Sequence, residues 1–136
     1  MAIELVNYNT SVPSNFNDSI NVNVTPIPVT VALFGLNIPS NNTNVVLVGS
    51  AGLRSFLGFP EVLFRVVRDT AVIGSTITSP LVIGEFLNIP INFVDRNVPP
   101  GFHTYRLTAE LTTSSLTTNA TIVGPMTLSG LAITTV

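Results

Sequence analysis

Scarcity of charge constrains this chain more than any motif in it. Only 9% of its 136 residues are Asp, Glu, Lys or Arg, against roughly a quarter in an ordinary soluble domain. There is no Lys, and the five cations are Arg54, Arg65, Arg68, Arg96 and Arg106. Val, Ile, Thr and Asn dominate instead. Such a surface must be covered by hydroxyls and amides, or by neighbouring copies of the same chain. Together with its β-branched content, this reads as an all-β structural subunit that builds an assembly, and not as an enzyme.

Apolar alternation and turn residues divide the chain into short strands. Ile20–Val24 alternates with period two before Pro26 and Pro28 interrupt it, which fits a strand at a sheet edge. Val29–Leu36, Val45–Val48, Glu61–Asp69 and Val72–Thr78 follow, with Gly49–Gly52 read as a turn and Gly74 as a bulge. Leu53–Pro60 fits no element clearly. Leu81–Phe86 and Ile89–Val94 are two further strands. The strongest signal is Phe102–Leu111, which sets His103, Tyr105, Leu107, Ala109 and Leu111 on one face after the Val98-Pro-Pro-Gly101 breaker. Leu116–Val123 and Met126–Thr135 read as a last pair joined through Gly124-Pro125. Eight to ten strands spaced by roughly 8–12 residues predict a jelly-roll sandwich of two antiparallel sheets with an extended N-terminal arm.

Residues 1–19 form the arm in this reading and 20–136 the jelly-roll domain. The arm is rich in Asn and Ser, with apolar marks at Ile3, Leu5, Val6 and Val12. It reads either as a disordered tail or as a strand lent to a neighbour's sheet. A chain lacking it is then expected to keep a folded head and lose its filaments. Ile20, Val22 and Val24 would face the neighbour's groove. The last strand, with Leu128, Leu131 and Ile133, reads either as an ordinary central core strand or as one lining a three-fold axis, with Ser129, Gly130 and Ala132 permitting close approach.

Reactive chemistry is nearly absent from the sequence. His103 is the one histidine, there is no Cys, and no Gly-x-Ser-x-Gly elbow surrounds a serine. His103 therefore reads as a hydrogen-bonded inner or interface residue, as does Tyr105. The carboxylates Glu61, Asp69, Glu85, Asp95 and Glu110 stand apart. Glu61, Arg65 and Asp69 would share one strand face as a salt-bridged row, and Asp95 with Arg96 would cap a turn. No metal-ligand spacing, phosphate loop or basic stripe is present, so no cofactor and no nucleic-acid partner is expected. Mean hydropathy is high, +0.55, but no apolar run reaches the 18 or so residues of a membrane span. No secretory signal is legible at the N-terminus. Asn-x-Ser/Thr triplets at Asn9, Asn17, Asn23, Asn41 and Asn119 read as a consequence of Asn and Thr abundance.

Pro99-Pro-Gly-Phe-His-Thr-Tyr-Arg-Leu107 and Gly124-Pro-Met-Thr-Leu-Ser-Gly-Leu-Ala-Ile133 resemble the late strands of TNF/C1q-like jelly-roll proteins of Bacillus spore surfaces. These include exosporium head domains and subunits of endospore appendage fibres. The resemblance implies heads that form trimeric rings or higher helical assemblies, an arm reaching into the next ring, a spore-surface or extracellular location, and an anchor protein as a further partner. The absence of Cys departs from the best-known appendage classes, whose cysteines cross-link rings. The absence of a Gly-x-y stalk departs from the collagen-like filament proteins. The expected function is thus a structural subunit of a Cys-free surface fibre. The alternatives are a trimeric head that binds a receptor or glycan, and a viral coat subunit.

Overall fold

A computed structural model describes residues 2–78, 84–112 and 119–135. Its strands are β1 (Ile3–Ser14), β2 (Val22–Val24), β3 (Val29–Ile38), β4 (Thr43–Leu57), β5 (Val62–Arg68), β6 (Ala71–Ile77), β7 (Phe86–Asp95), β8 (Gly101–Leu111) and β9 (Asn119–Thr135). All pairings are antiparallel. One sheet has the order β1-β9-β4-β7, with β2 also paired to β9, and the other has the order β3-β8-β5-β6. The chain changes sheet at every connection except β1–β2 and β5–β6. That winding is a jelly roll whose first strand is broken into two pieces.

The core lies between the sheets and follows the alternation of each strand. Phe34, Leu36 and Ile38 of β3, Leu47 and Leu53 of β4, Phe64 of β5, Tyr105 and Leu107 of β8, and Ile122, Met126 and Leu128 of β9 are all buried. Burial of side chains of this size stabilises the fold by about 1.5–3 kcal/mol each. Phe34 stacks on Tyr105 with ring centroids 5.6 Å apart. The same ring covers Gly130, where a Cβ would come within 2.7 Å of it.

Several local expectations change. Gly49–Gly52 is not a turn but the middle of β4. A Cβ at Gly49 would stand 2.1 Å from the Thr127 carbonyl oxygen, and one at Gly52 would stand 2.0 Å from that of Gly124. These glycines let β9 approach β4, where the register shifts between Ala51 and Leu53. Gly124-Pro125, joined by a cis bond, does not separate two strands either. It is an internal bend of β9, and residues 116–118 of the expected strand lie outside the described residues. Pro90 sits within the edge strand β7, which begins at Phe86; residues 81–83 of the strand expected there also lie outside the description.

Residues 3–14, expected as an arm, are an edge strand of the chain's own sheet. β1 pairs with β9 from Ile3↔Thr135 to Ser14↔Met126. It then breaks where β9 bends. Ser19 and Ile20 N–H both donate to the Val123 carbonyl, at 2.8 and 3.1 Å, before β2 resumes the pairing at Val22↔Ile122.

Candidate assembly surface

β1 has an inverted polarity. Its inward positions are Asn7, Asn9 and Ser11, and its outward positions include Leu5 and Tyr8. The inward amides have a specific task. Asn7 Nδ2 donates to the Asn37 carbonyl at 2.9 Å and Asn9 Nδ2 to that of Gly35 at 2.7 Å. Ser11 Oγ accepts from Leu33 N–H at 3.2 Å. The partners step by two along both strands, so the side chains form a ladder along the open edge of β3. The same amides turn back on β1: Asn7 Oδ1 accepts from Tyr8 N–H at 2.9 Å and Asn9 Oδ1 from Thr10 N–H at 2.8 Å. Two edges that would otherwise invite another strand are thereby closed against each other.

Outward from the core, the two sheets present different surfaces. Cross-strand pairing on the β1-β9-β4-β7 sheet sets Tyr8, Leu131, Val46 and Val94 in one continuous row. Leu5 and Ile133 flank it on one side. Thr10, Ser129, Val48 and Asn92 flank it on the other, with Thr10 and Ser129 hydroxyls 2.8 Å apart. Leu5, Tyr8 and Val94 are 60%, 54% and 51% exposed. None of these rows contains a charged residue. The outer face of the other sheet carries Arg106 opposite Leu33 and Val67, and Arg65 ion-paired across the strands to Glu110. Arg65 keeps 39% of its side chain exposed, so solvent screens the pair and it contributes little to stability.

Arg68, Asp69 and Asp95 gather at one end of the sandwich with Tyr105 and His103. Asp95, the buried last residue of β7, accepts from Arg68 Nη1 and from the Tyr105 hydroxyl, both at 2.7 Å. Burial, and next the Asp95 carboxylate, push the Tyr105 phenol far above its ordinary range. Asp69, in the turn after β5, accepts from His103 Nδ1 at 2.7 Å and Thr104 N–H at 3.0 Å. These bonds, with His103 first, hold its carboxyl below the usual 3.8. His103 Nε2 lies 2.8 Å from the Pro99 carbonyl. Both ring nitrogens therefore face acceptors, an arrangement that the doubly protonated ring satisfies in full.

These partners correct the expected charge row. Arg65 meets Glu110 and Asp69 meets His103, while Glu61 accepts from the Thr112 hydroxyl. Asp95 does not cap a turn with Arg96 but anchors the buried cluster. Among the residues expected at an interface, Tyr105, Val24 and Leu128 lie in the chain's own core, with Val6, Ile20 and Val22 packed against it. His103 is a satisfied end-of-strand residue. Leu131 and Ile133 face outward beside the exposed Leu5, and Ile3 and Val12 are exposed on β1. Sequence reasoning missed Tyr8, Val46, Val48 and Val94. Their signal was the apolar residue on the wrong side of an alternation, which becomes visible only once the register is known. Among the described residues no three His, Asp or Glu are grouped to hold a metal ion.

The sheet order and sandwich winding define a jelly-roll domain. Solved structures similar to the chain include several from infectious bursal disease virus. The chain is similar to a structure of the infectious bursal disease virus Gt strain, with TM-score 0.51 and 12% identity over 93% of this chain and 32% of that one. It is similar to the Gx strain structure with TM-score 0.51 and 11% identity, over 94% and 36% of the two chains. A VP2 protein of the same virus, in T=1 particles, gives TM-score 0.51 and 12% identity over 93% and 39%. The chain thus spans about a third of the length of the viral chains it matches. The likeness shows the fold. No protein-family model matches the chain, and no curated protein matches its sequence.

Proposed function

We propose that this chain is a structural subunit that assembles with copies of itself into a fibre or coat on an outer surface. The observation that carries the reading is the uncharged, largely apolar patch from Leu5 to Asn92 on the outer face of the β1-β9-β4-β7 sheet, set against the ion-paired outer face of the other sheet. Contiguous exposed apolar surface of this kind marks an interaction site. The viral coat chains with the same fold support a building role. The likeness of the Pro99–Leu107 and Gly124–Ile133 segments to spore-surface jelly rolls supports an appendage fibre on a spore or cell surface.

Negative-stain microscopy and light scattering of the purified chain test this reading. Filaments, shells or discrete oligomers are the expected result. A monomer that persists at the highest soluble concentration overturns it.

A further inference from the structure

We infer that the outer face of the β1-β9-β4-β7 sheet docks on the same face of a second copy of this chain, sheet against sheet. This rests on the self-assembly reading and specifies the surface and the geometry.

The edges of the sandwich are poorly suited to joining copies. On one side the Asn7, Asn9 and Ser11 ladder occupies the β1 amides and the β3 backbone edge. On the other side, the edge strand β7 contains Pro90, which offers no N–H to an incoming strand. Phe93 of β7 also lies over Gly74 of β6, where a Cβ would come within 2.6 Å of its ring.

The face, by contrast, is complementary to itself. Its rows from Leu5 to Asn92 carry no charge, so two copies centred on them bring no like charges together, and Arg54, further along the same face, is held over the Phe86 ring. Its outward side chains are branched or aromatic at the centre and hydroxyl or amide at the rim, the plan of a protein interface. The polarity of β1 points the same way. A leader whose polar residues turn inward and whose Leu5 and Tyr8 turn outward has its apolar side reserved for another molecule. Size also fits. Four strands about 4.8 Å apart, each about 30 Å long over nine residues, make a face about 19 Å wide. Its projected area, about 570 Å², approaches the roughly 800 Å² of accessible surface that each partner gives to a stable interface. Contact between identical faces is isologous and closes on a two-fold axis. Two packed sheets about 10 Å apart would then interdigitate Val46 and Leu131 with their counterparts.

The chain has no cysteine, so single-cysteine variants give a clean test. Val46→Cys, at the centre of the face, is treated with a short bis-maleimide, beside Leu33→Cys on the outer face of the other sheet, where Leu33 is exposed opposite Arg106. In parallel, self-association of Val94→Asp is measured by sedimentation, with circular dichroism confirming its fold. Covalent dimers from Val46→Cys but not Leu33→Cys, and at least a tenfold weaker association of Val94→Asp, are expected. Association unchanged in Val94→Asp, with cross-linking through Leu33→Cys instead, overturns this face while leaving self-assembly intact. A parent chain that does not associate at all removes both readings.

Discussion

Asp95 and Tyr105 show how a chain with so few charges places them. Asp95 is buried, and an unpaired carboxylate there would be costly. Arg68 and the Tyr105 hydroxyl each supply a charge-assisted hydrogen bond at 2.7 Å. Tyr105→Phe keeps the ring stacked on Phe34 and removes only one donor. Hydrogen bonds to charged groups contribute about 1.5–3 kcal/mol, so chemical denaturation should find the variant less stable by about that amount. Asp95→Ala should cost more, because it leaves the Arg68 guanidinium without its partner. Asp69 behaves differently because it is half exposed. Its carboxyl is held below 3.8 in the folded chain, so the folded state binds the proton less readily than the unfolded one. The stability it contributes is therefore complete above pH 3.8 and is lost as pH falls through the lowered folded value. Asp69→Asn should be less stable than the parent at neutral pH, and the gap in melting temperature should close in that acid window. A gap that stays constant down to the acid limit would show that the His103 and Thr104 bonds to Asp69 contribute nothing.

Strand β8 was legible in the sequence as a simple alternation after a turn. In contrast, β5, whose Leu63, Val66 and Val67 spacing also fits a helix, was legible through its β-branched and aromatic content, with β6 following it across a turn. Their neighbours β4 and β9 were not, and the cause is specific. β4 reads as a short apolar strand followed by a glycine turn because two glycines stand where only backbone fits. Nothing in Gly49-Ser-Ala-Gly52 distinguishes close approach from chain reversal until β9 is placed beside it. β9 likewise carries Gly124-Pro125, an ordinary breaker signal, inside one continuous strand whose register shifts there. The two irregularities face each other, so each would be intelligible only in the presence of the other. The leader was hidden by a further effect. Its Asn and Ser residues suggested solvent, yet they reach a strand edge in the same chain, where amides can act as both donor and acceptor. Asn9 is thereby committed to the ladder with its glycosylation triplet. Gly49→Val should force β4 and β9 apart and cost roughly 3 kcal/mol or more, read as a lowered denaturation midpoint. The same exchange at Gly84, where an added Cβ meets nothing within 4 Å, should cost less, its strain arising only from the positive φ of 77°. Equal losses at the two positions would mean that close approach is not what β4 requires of its glycine.

On the scale of the whole molecule, β1 decides how the sandwich ends and how it meets other copies. As a separable arm it could be removed without harm to a folded head. As an edge strand it cannot. Cutting residues 2–14 strips the partner from β9 along Ile3↔Thr135 to Ser14↔Met126 and uncovers the β3 carbonyls of Gly35 and Asn37. It also removes Val6 from the margin of the core. Two unpaired edges would then lie side by side on a chain with a net charge of only −2, too little repulsion to keep such edges from finding one another. The truncated chain should have a lower melting temperature and should aggregate irregularly, with raised thioflavin fluorescence, and not remain a soluble head. Asn7→Ala combined with Asn9→Ala provides the finer comparison, since it opens only the side-chain ladder and leaves the β1–β9 pairing in place. That double variant should remain folded, lose about 1 kcal/mol or so per amide bridge, and join to other copies through its freed edge. A truncated chain that stays soluble and melts as the parent does would mean that residues 3–14 belong to a neighbour's sheet in the working assembly, and that the edge strand seen here is its resting place in a single copy.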